Sequence, residues 1–150
     1  MIRDKKSQQQ FICYDSLSID REYKNDKSGH GLYHPADIDG ILQFTNSKSH
    51  KLKPEFNQAV LIYEFKREGA HIPTGQKILL ESLTNAIQNS GGFALVVIVR
   101  HNVQNPDIDV DGGKGIVTEY FYDGAWRTCS PMTAVEFTDL FMIGAGLKKI

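Results

Sequence analysis

The fold is decided by the stretch Ala59-Val-Leu-Ile-Tyr-Glu-Phe-Lys66, which is apolar almost throughout until Glu64. A near-continuous apolar run of this length predicts a β-strand that is covered on both faces. A second run of the same kind extends from Phe93 to Arg100. Both strands therefore belong in the interior of a sheet.

The segment between these two strands has helical periodicity. It extends from Thr74 to Asn89, with Pro73 in front and Gly91-Gly92 behind. Proline before the first turn and glycine after the last turn are typical helix boundaries. The spacing predicts a helix over residues 74–89. Its predicted inward stripe consists of Leu79, Leu80, Leu83, Ala86 and Ile87.

The outer elements complete an α/β pattern. Residues 37–44 are rich in β-branched and apolar side chains and predict a first strand, while 115–122 and 125–129 flank Asp123-Gly124 and predict a hairpin with a type I′ turn. Thr133-Ala-Val-Glu136 is a capping box that opens a helix with Phe137, Leu140 and Phe141 on one face. We predict a central mixed β-sheet flanked by helices.

Length and composition exclude several classes of protein. The 150 residues suffice for one domain, which we assign to residues 11–150 behind a disordered tail of residues 1–10. The longest apolar run has seven residues, Phe93 to Val99, against the ~20 that a membrane span needs. A polar N-terminus and two cysteines, Cys13 and Cys129, which we interpret as reduced thiols, predict a cytoplasmic protein. The net charge of −1 confines any nucleic-acid surface to a local patch.

Three charged residues form the strongest candidate site. Glu64 and Lys66 share one face of their strand, and Asp39 stands 25 positions before Glu64 on the preceding strand. Two carboxylates on neighbouring strands supply the oxygen ligands that Mg²⁺ prefers. A lysine beside them can orient an attacking water and offset charge on a phosphate. The alternative is a simple Glu64–Lys66 ion pair where the strand emerges into solvent.

The residues from Pro35 to Val99 resemble the PD-(D/E)XK, or restriction-endonuclease-like, nuclease superfamily, in particular its small phage or prophage nucleases and junction resolvases. The resemblance implies that Asp39, Glu64 and the backbone carbonyl of Phe65 bind Mg²⁺ or Mn²⁺. It implies that Lys66 positions the water that hydrolyses a DNA phosphodiester bond. The runner-up function is a catalytically inactive nucleic-acid- or protein-binding module that keeps the nuclease fold.

The resemblance also implies supporting residues. Many members carry a polar side chain on the following helix that faces the site, and Gln76 fits that role. Members often have a further acid on a helix ahead of the first strand, for which Glu22 is the first candidate and Asp20 the second. Asp37 shares a strand face with Asp39 and is the alternative metal ligand, since the superfamily's Pro-Asp element is matched here only by the spaced sequence His34-Pro35-Ala36-Asp37.

A nuclease needs cations that contact phosphates. The candidates are the lysines of the loop between the first two strands and the basic residues around the strand ends, which we expect to form a locally basic set around the site. They are Lys48, Lys51, Lys53, Arg67, Lys77 and Arg100. DNA is the expected partner, the choice between DNA and RNA stays open, and two symmetric cuts would require a homodimer.

One acidic turn offers a different metal hypothesis. Asp107-Ile-Asp109-Val-Asp111-Gly112 begins like an EF-hand loop, yet Thr118 occupies the twelfth position, where calcium loops have a bidentate glutamate. The alternatives are a solvated acidic turn and a calcium-stabilised structural domain.

Overall fold

Residues 38–147 are described by a computed structural model of the chain. The elements in this range are β1 (Gly40–Phe44), β2 (Ala59–Arg67), α1 (Thr74–Asn89), β3 (Phe93–His101), a 3₁₀ turn (Gly112–Lys114), β4 (Ile116–Tyr122), β5 (Ala125–Thr133) and α2 (Ala134–Ala145). The α/β class and the predicted order of strands and helices are confirmed. Neither of these two helices has the length and apolar character that crossing a membrane requires.

The five described strands form one mixed sheet in the spatial order β1-β2-β3-β4-β5. β2 and β3 are parallel, and α1 connects them, as a parallel pair requires a crossover. The other three neighbouring pairs are antiparallel. Consequently the carboxyl ends of β2 and β3 lie side by side, next to the amino end of β1.

Each face of the sheet has its own hydrophobic core. Along β2, Leu61 faces the α2 layer, whereas Val60 and Ile62 face the α1 layer, because successive side chains on a strand point to opposite faces. β3 alternates in the same way, with Val97 on the α2 side and Val96 on the α1 side. The prediction that both strands are covered on both faces is confirmed.

The predicted buried stripes of the helices are partly wrong. On α1 the fully buried side chains are Leu80 and Thr84, while Leu79 is 38% exposed and Ala86 is also exposed. A helix lying on a sheet buries a narrow stripe, and residues one position away turn roughly 100° to its flank. The same holds on α2, where Leu140 is 56% exposed. Its buried face consists of Ala134, Phe137, Phe141 and Ala145.

Strand boundaries differ from the sequence prediction at two places. β1 begins at Gly40 instead of residue 37, and β5 continues to Thr133 instead of ending at residue 129. The hairpin turn is as predicted: Asp123 and Gly124 have φ values of 50° and 76°, and a type I′ turn requires positive φ at both positions. Cys129 is a free thiol whose S–H donates to the carbonyl of Val117.

The capping box of α2 stabilises the first turn of this helix. The hydroxyl of Thr133 accepts the N–H of Glu136 at 3.2 Å, and the carboxylate of Glu136 accepts the N–H of Thr133 at 3.3 Å. We expect Thr133→Ala to lower the free energy of unfolding by about 1 kcal/mol, because a backbone N–H in the first turn of α2 loses its side-chain partner. Urea denaturation measures this, with the exposed loop residue Thr45→Ala as the matched control, and equal losses in both variants would contradict it.

Candidate functional site

Asp39 and Glu64 are brought together by the antiparallel pairing of β1 and β2. Gly40 pairs with Tyr63, so one further step of the register places Asp39 opposite Glu64. The carboxylate Oδ2 of Asp39 accepts the backbone N–H of Phe65 at 2.8 Å. This side chain takes the place of a ladder hydrogen bond where β1 has not yet begun. It is thereby fixed against the backbone between Glu64 and Lys66.

Glu64 lies among apolar side chains. It follows Val60 and Ile62 on the α1 face of β2, and only 1% of its surface is exposed. A carboxylate in such surroundings loses its hydration and is destabilised unless it gains partners. The identity of these partners therefore decides what the site can do.

One oxygen of Glu64 has two partners. Its Oε1 lies 2.9 Å from the ammonium of Lys66 and accepts the amide N–H of Gln76 at 2.9 Å. Lys66 also donates to the amide oxygen of Gln76 at 3.3 Å, so that Glu64, Lys66 and Gln76 each contact the other two. The structure thus brings Gln76, on the first turn of α1, into contact with both Glu64 and Lys66.

The other oxygen of Glu64, Oε2, is buried without a hydrogen-bond partner among the described residues. Burial raises the pKa of the Glu64 carboxyl group, the hydrogen bond from Lys66 lowers it, and the negative charge of Asp39 raises it further. An unpartnered buried carboxylate oxygen beside a second carboxylate is an arrangement that a bound cation would complete. The oxygen donors present, from Asp39, Glu64 and the backbone of Phe65, fit Mg²⁺ or Mn²⁺.

Glu64 gives the fold a defined pH dependence. In the unfolded chain its carboxyl group ionises near pH 4.5, whereas in the fold it keeps its proton to higher pH. Between the pKa of Glu64 in the unfolded chain and its higher pKa in the fold, the folded state binds more protons than the unfolded state. The free energy of unfolding therefore falls as pH rises through this range. Glu64→Gln lacks this titration, and we expect it to become more stable relative to wild type across that window.

Urea denaturation in EDTA from about pH 4 to 8 measures this difference. In Asp39→Asn the repelling charge is absent, so the pKa of Glu64 should fall and the window should move to lower pH. The exposed residue Glu55 provides the matched control as Glu55→Gln. A difference between wild type and Glu64→Gln that stays constant with pH would contradict the account.

The basic loop between β1 and β2 does not surround the site. Phe44 pairs with Ala59, so the loop lies at the end of β2 opposite Glu64, about 16 Å away for five residues of strand. The loop packs against the end of α2, where the N–H of Lys53 donates to the carbonyl of Ala145. The expectation that this cluster adjoins the catalytic residues is wrong. Its members are the exposed side chains of Lys48, Lys51 and Lys53.

Arg67 and Arg100 are two further predicted phosphate contacts, and both lie nearer to Glu64 along the strands than the basic loop does. Arg100 pairs with Lys66 across β2 and β3, and its guanidinium donates to the carbonyls of Arg67 and Ala70 and pairs with Glu119 at 3.3 Å. It therefore stabilises the turn after β2. By alternation along β2, Arg67 points to the α2 face, away from Glu64.

Lys77 points along α1 toward β5. Its ammonium lies 5.0 Å from the centre of the Trp126 ring, whose indole N–H donates to Glu81 at 2.6 Å. A cation over an aromatic face gains a modest electrostatic attraction. Lys77 is exposed and follows Gln76 in the sequence, but its contact with Trp126 directs its ammonium away from Glu64 on β2.

The remaining predicted metal ligands are the acids that precede β1 in the sequence and those of the acidic turn. Glu22, Asp20 and Asp37 lie outside the described residues, as does the tail over residues 1–10. Within residues 38–147, no three His, Cys, Asp or Glu side chains form a group that could hold a metal ion. In the acidic turn, Asp111 accepts the N–H of Gly113 at 3.0 Å.

Sequence reasoning missed a cavity of about 600 Å³ at the carboxyl end of β3. It forms where the turn after β2, the loop after β3 and the start of β4 meet. Its walls include His101, Asn102 and Ile116. No local pattern indicates it, because it depends on how an irregular loop folds back over the sheet.

Comparison with protein-family models, curated proteins and solved structures returns no match for this chain. The nuclease hypothesis therefore depends on the residues and their geometry alone.

Proposed function

We propose that this chain is a metal-dependent nuclease that hydrolyses phosphodiester bonds of DNA in the cytoplasm, as its resemblance to the PD-(D/E)XK superfamily implies. The observation that carries the proposal is the buried Glu64 carboxylate, whose Oε2, near the charge of Asp39, has no hydrogen-bond partner within residues 38–147. A fully buried acid with an unpartnered oxygen is costly to a fold, and such sites are often retained for function.

Each residue of the site has a chemical role in this proposal. Asp39, Glu64 and the carbonyl of Phe65 would hold Mg²⁺ or Mn²⁺, which when bound lowers the pKa of water and offsets phosphate charge. Lys66, whose side chain is 22% exposed, orients the attacking water and stabilises the negative charge that develops on the phosphate. Gln76 positions Lys66 through its amide oxygen and Glu64 through its amide N–H.

The charges of the site support metal dependence. When all three side chains are ionised, Asp39, Glu64 and Lys66 together have a net charge of −1. Such a site repels a phosphodiester. A divalent cation reverses the sign to one positive charge, so the metal and the phosphate favour each other's binding.

The runner-up function has one observation in its favour. The Lys66 ammonium and the Gln76 amide already satisfy one oxygen of Glu64, and the described residues contribute two acids to the site instead of three. A catalytically inactive nucleic-acid- or protein-binding module needs no more than this. The two functions differ in whether the protein cleaves.

The direct experiment is a panel of end-labelled nucleic acids. Duplex DNA, single-stranded DNA, a flap, a four-way junction and single-stranded RNA are each incubated with the protein in Mg²⁺, Mn²⁺ or EDTA. We expect cleavage of at least one DNA substrate in metal and none in EDTA. Binding without cleavage of any substrate would establish the inactive module instead. Sedimentation of the protein bound to the substrate that it cleaves measures the number of bound copies and so tests the expected homodimer.

Metal should also stabilise the fold by mass action. A ligand that binds only the folded state raises the free energy of unfolding by about 2.7 kcal/mol at a hundred times its Kd. We therefore expect millimolar Mn²⁺ to raise the Tm of wild type and to leave that of Glu64→Gln unchanged. A wild-type Tm that does not respond to Mn²⁺ and Mg²⁺ would favour the inactive module.

A further inference from the structure

We propose that the cavity at the carboxyl end of β3 binds the base of the nucleotide next to the scissile phosphate. The inference rests on the proposed nuclease function for its biological meaning. Its physical basis is separate, because it uses a different set of side chains from the candidate metal site.

The location of the cavity fits a neighbouring nucleotide. Arg100 lines the cavity and pairs in register with Lys66 of the candidate site. Adjacent strands lie about 4.8 Å apart, so the cavity begins one strand away from the lysine that would contact the scissile phosphate. Its volume of about 600 Å³ is within the ~300–1,000 Å³ range of small-molecule sites.

The walls of the cavity combine apolar surface with hydrogen-bonding groups of both kinds. Val103, Val110 and Ile116 supply the apolar part, and the last two are 39% and 43% exposed. The amide of Asn102 can donate and accept. His101 accepts the N–H of Val103 on Nδ1 at 3.2 Å, so the neutral ring carries its proton on Nε2 as a donor. A nucleobase has apolar faces and a polar edge of matching character.

The charges in the cavity favour a base over a phosphate. The guanidinium of Arg100 is engaged by two carbonyls and by Glu119. The ammonium of Lys114 is 85% exposed and lies 3.9 Å from Asp111, which also lines the cavity. Glu68 and Asp111 balance the charges of Arg100 and Lys114 in the cavity lining, so neutral hydrogen-bonding and apolar contact dominate.

Nucleotide binding without metal tests the inference. The four deoxynucleoside 5′-monophosphates are titrated into the protein in EDTA while the methyl NMR signals of Val103, Val110 and Ile116 are followed. We expect saturable shifts with at least one nucleotide and none with ribose 5-phosphate, which lacks a base. Asn102→Ala and Ile116→Ala should each weaken binding on the order of tenfold. Ile143→Ala is the matched control, since this isoleucine on α2 is 51% exposed and lies outside the cavity lining.

The outcomes separate this inference from the nuclease proposal. Equal shifts with ribose 5-phosphate, or no shifts with any nucleotide, would overturn the base-binding inference. Unchanged affinity in both Asn102→Ala and Ile116→Ala would also overturn it. Nucleotide binding is expected to survive in Glu64→Gln, since that side chain does not line the cavity. A protein that binds nucleotides here and cleaves nothing would keep the base-binding site and lose the nuclease function, and with it the placement of that site next to a scissile phosphate.

Discussion

Lys66→Ala is expected to lower the rate of DNA cleavage on the order of 10²–10³-fold. The ammonium lies 2.9 Å from Glu64 and 3.3 Å from the amide oxygen of Gln76, so it is held at the site where phosphate charge would develop. Affinity for DNA should fall only modestly, because one phosphate contact among several is lost. Single-turnover cleavage and filter binding on the same labelled substrate measure the two effects.

The matched control for this variant is Lys53→Ala. Its side chain is exposed at the far end of β2, so its loss should leave the cleavage step unchanged. Equal cleavage by wild type and Lys66→Ala would place the catalytic residues elsewhere. Equal losses in the two lysine variants would show a general effect of charge on DNA binding instead.

Asp39→Asn is expected to lose metal binding and cleavage together while DNA binding survives or tightens. The asparagine retains an oxygen that can accept the N–H of Phe65, so the local structure should persist. It lacks the charge that holds a divalent cation. Loss of a residue that hydrogen-bonds to a metal ligand typically lowers metal affinity 10–100-fold, and we expect loss of a direct ligand to lower it on the order of 100-fold or more.

Asp109→Asn in the acidic turn is the matched control for this carboxylate. It removes one exposed negative charge outside the candidate site, so metal affinity and cleavage should stay at the wild-type level. If Asp109→Asn lost metal and Asp39→Asn kept it, the metal would bind at the acidic turn. Circular dichroism of both variants confirms that each has kept its fold.

The order and class of the secondary structure were predictable because the signals are local. The helix over residues 74–89 has a proline before it and glycines behind, and the Asp123-Gly124 turn and the Thr133–Glu136 capping box each define their own geometry. The buried faces of the helices were less predictable. Leu79 and Leu140 are apolar but exposed, since the path of a helix over its sheet selects which leucines are covered.

The candidate site was predictable in part. Strand alternation places Glu64 and Lys66 on one face, but the hydrogen bond from the Phe65 backbone to Asp39 follows from where β1 begins, which the sequence does not mark. The placement of the basic loop near the site was wrong for a topological reason. Asp39 precedes β1 and Glu64 lies near the carboxyl end of β2, so they meet only if the strands are antiparallel, and the connecting loop then lies at the opposite end.

The most direct test of the Asp39–Glu64 cation site is a Mn²⁺ titration monitored by the electron paramagnetic resonance signal of the free ion. We expect saturable Mn²⁺ binding by wild type, competed by Mg²⁺. We also expect that Glu64→Gln and Asp39→Asn lose this binding and that Glu55→Gln keeps it. Wild-type protein that binds no Mn²⁺ at millimolar concentration, or Glu64→Gln protein that binds it as well as wild type, would contradict the account.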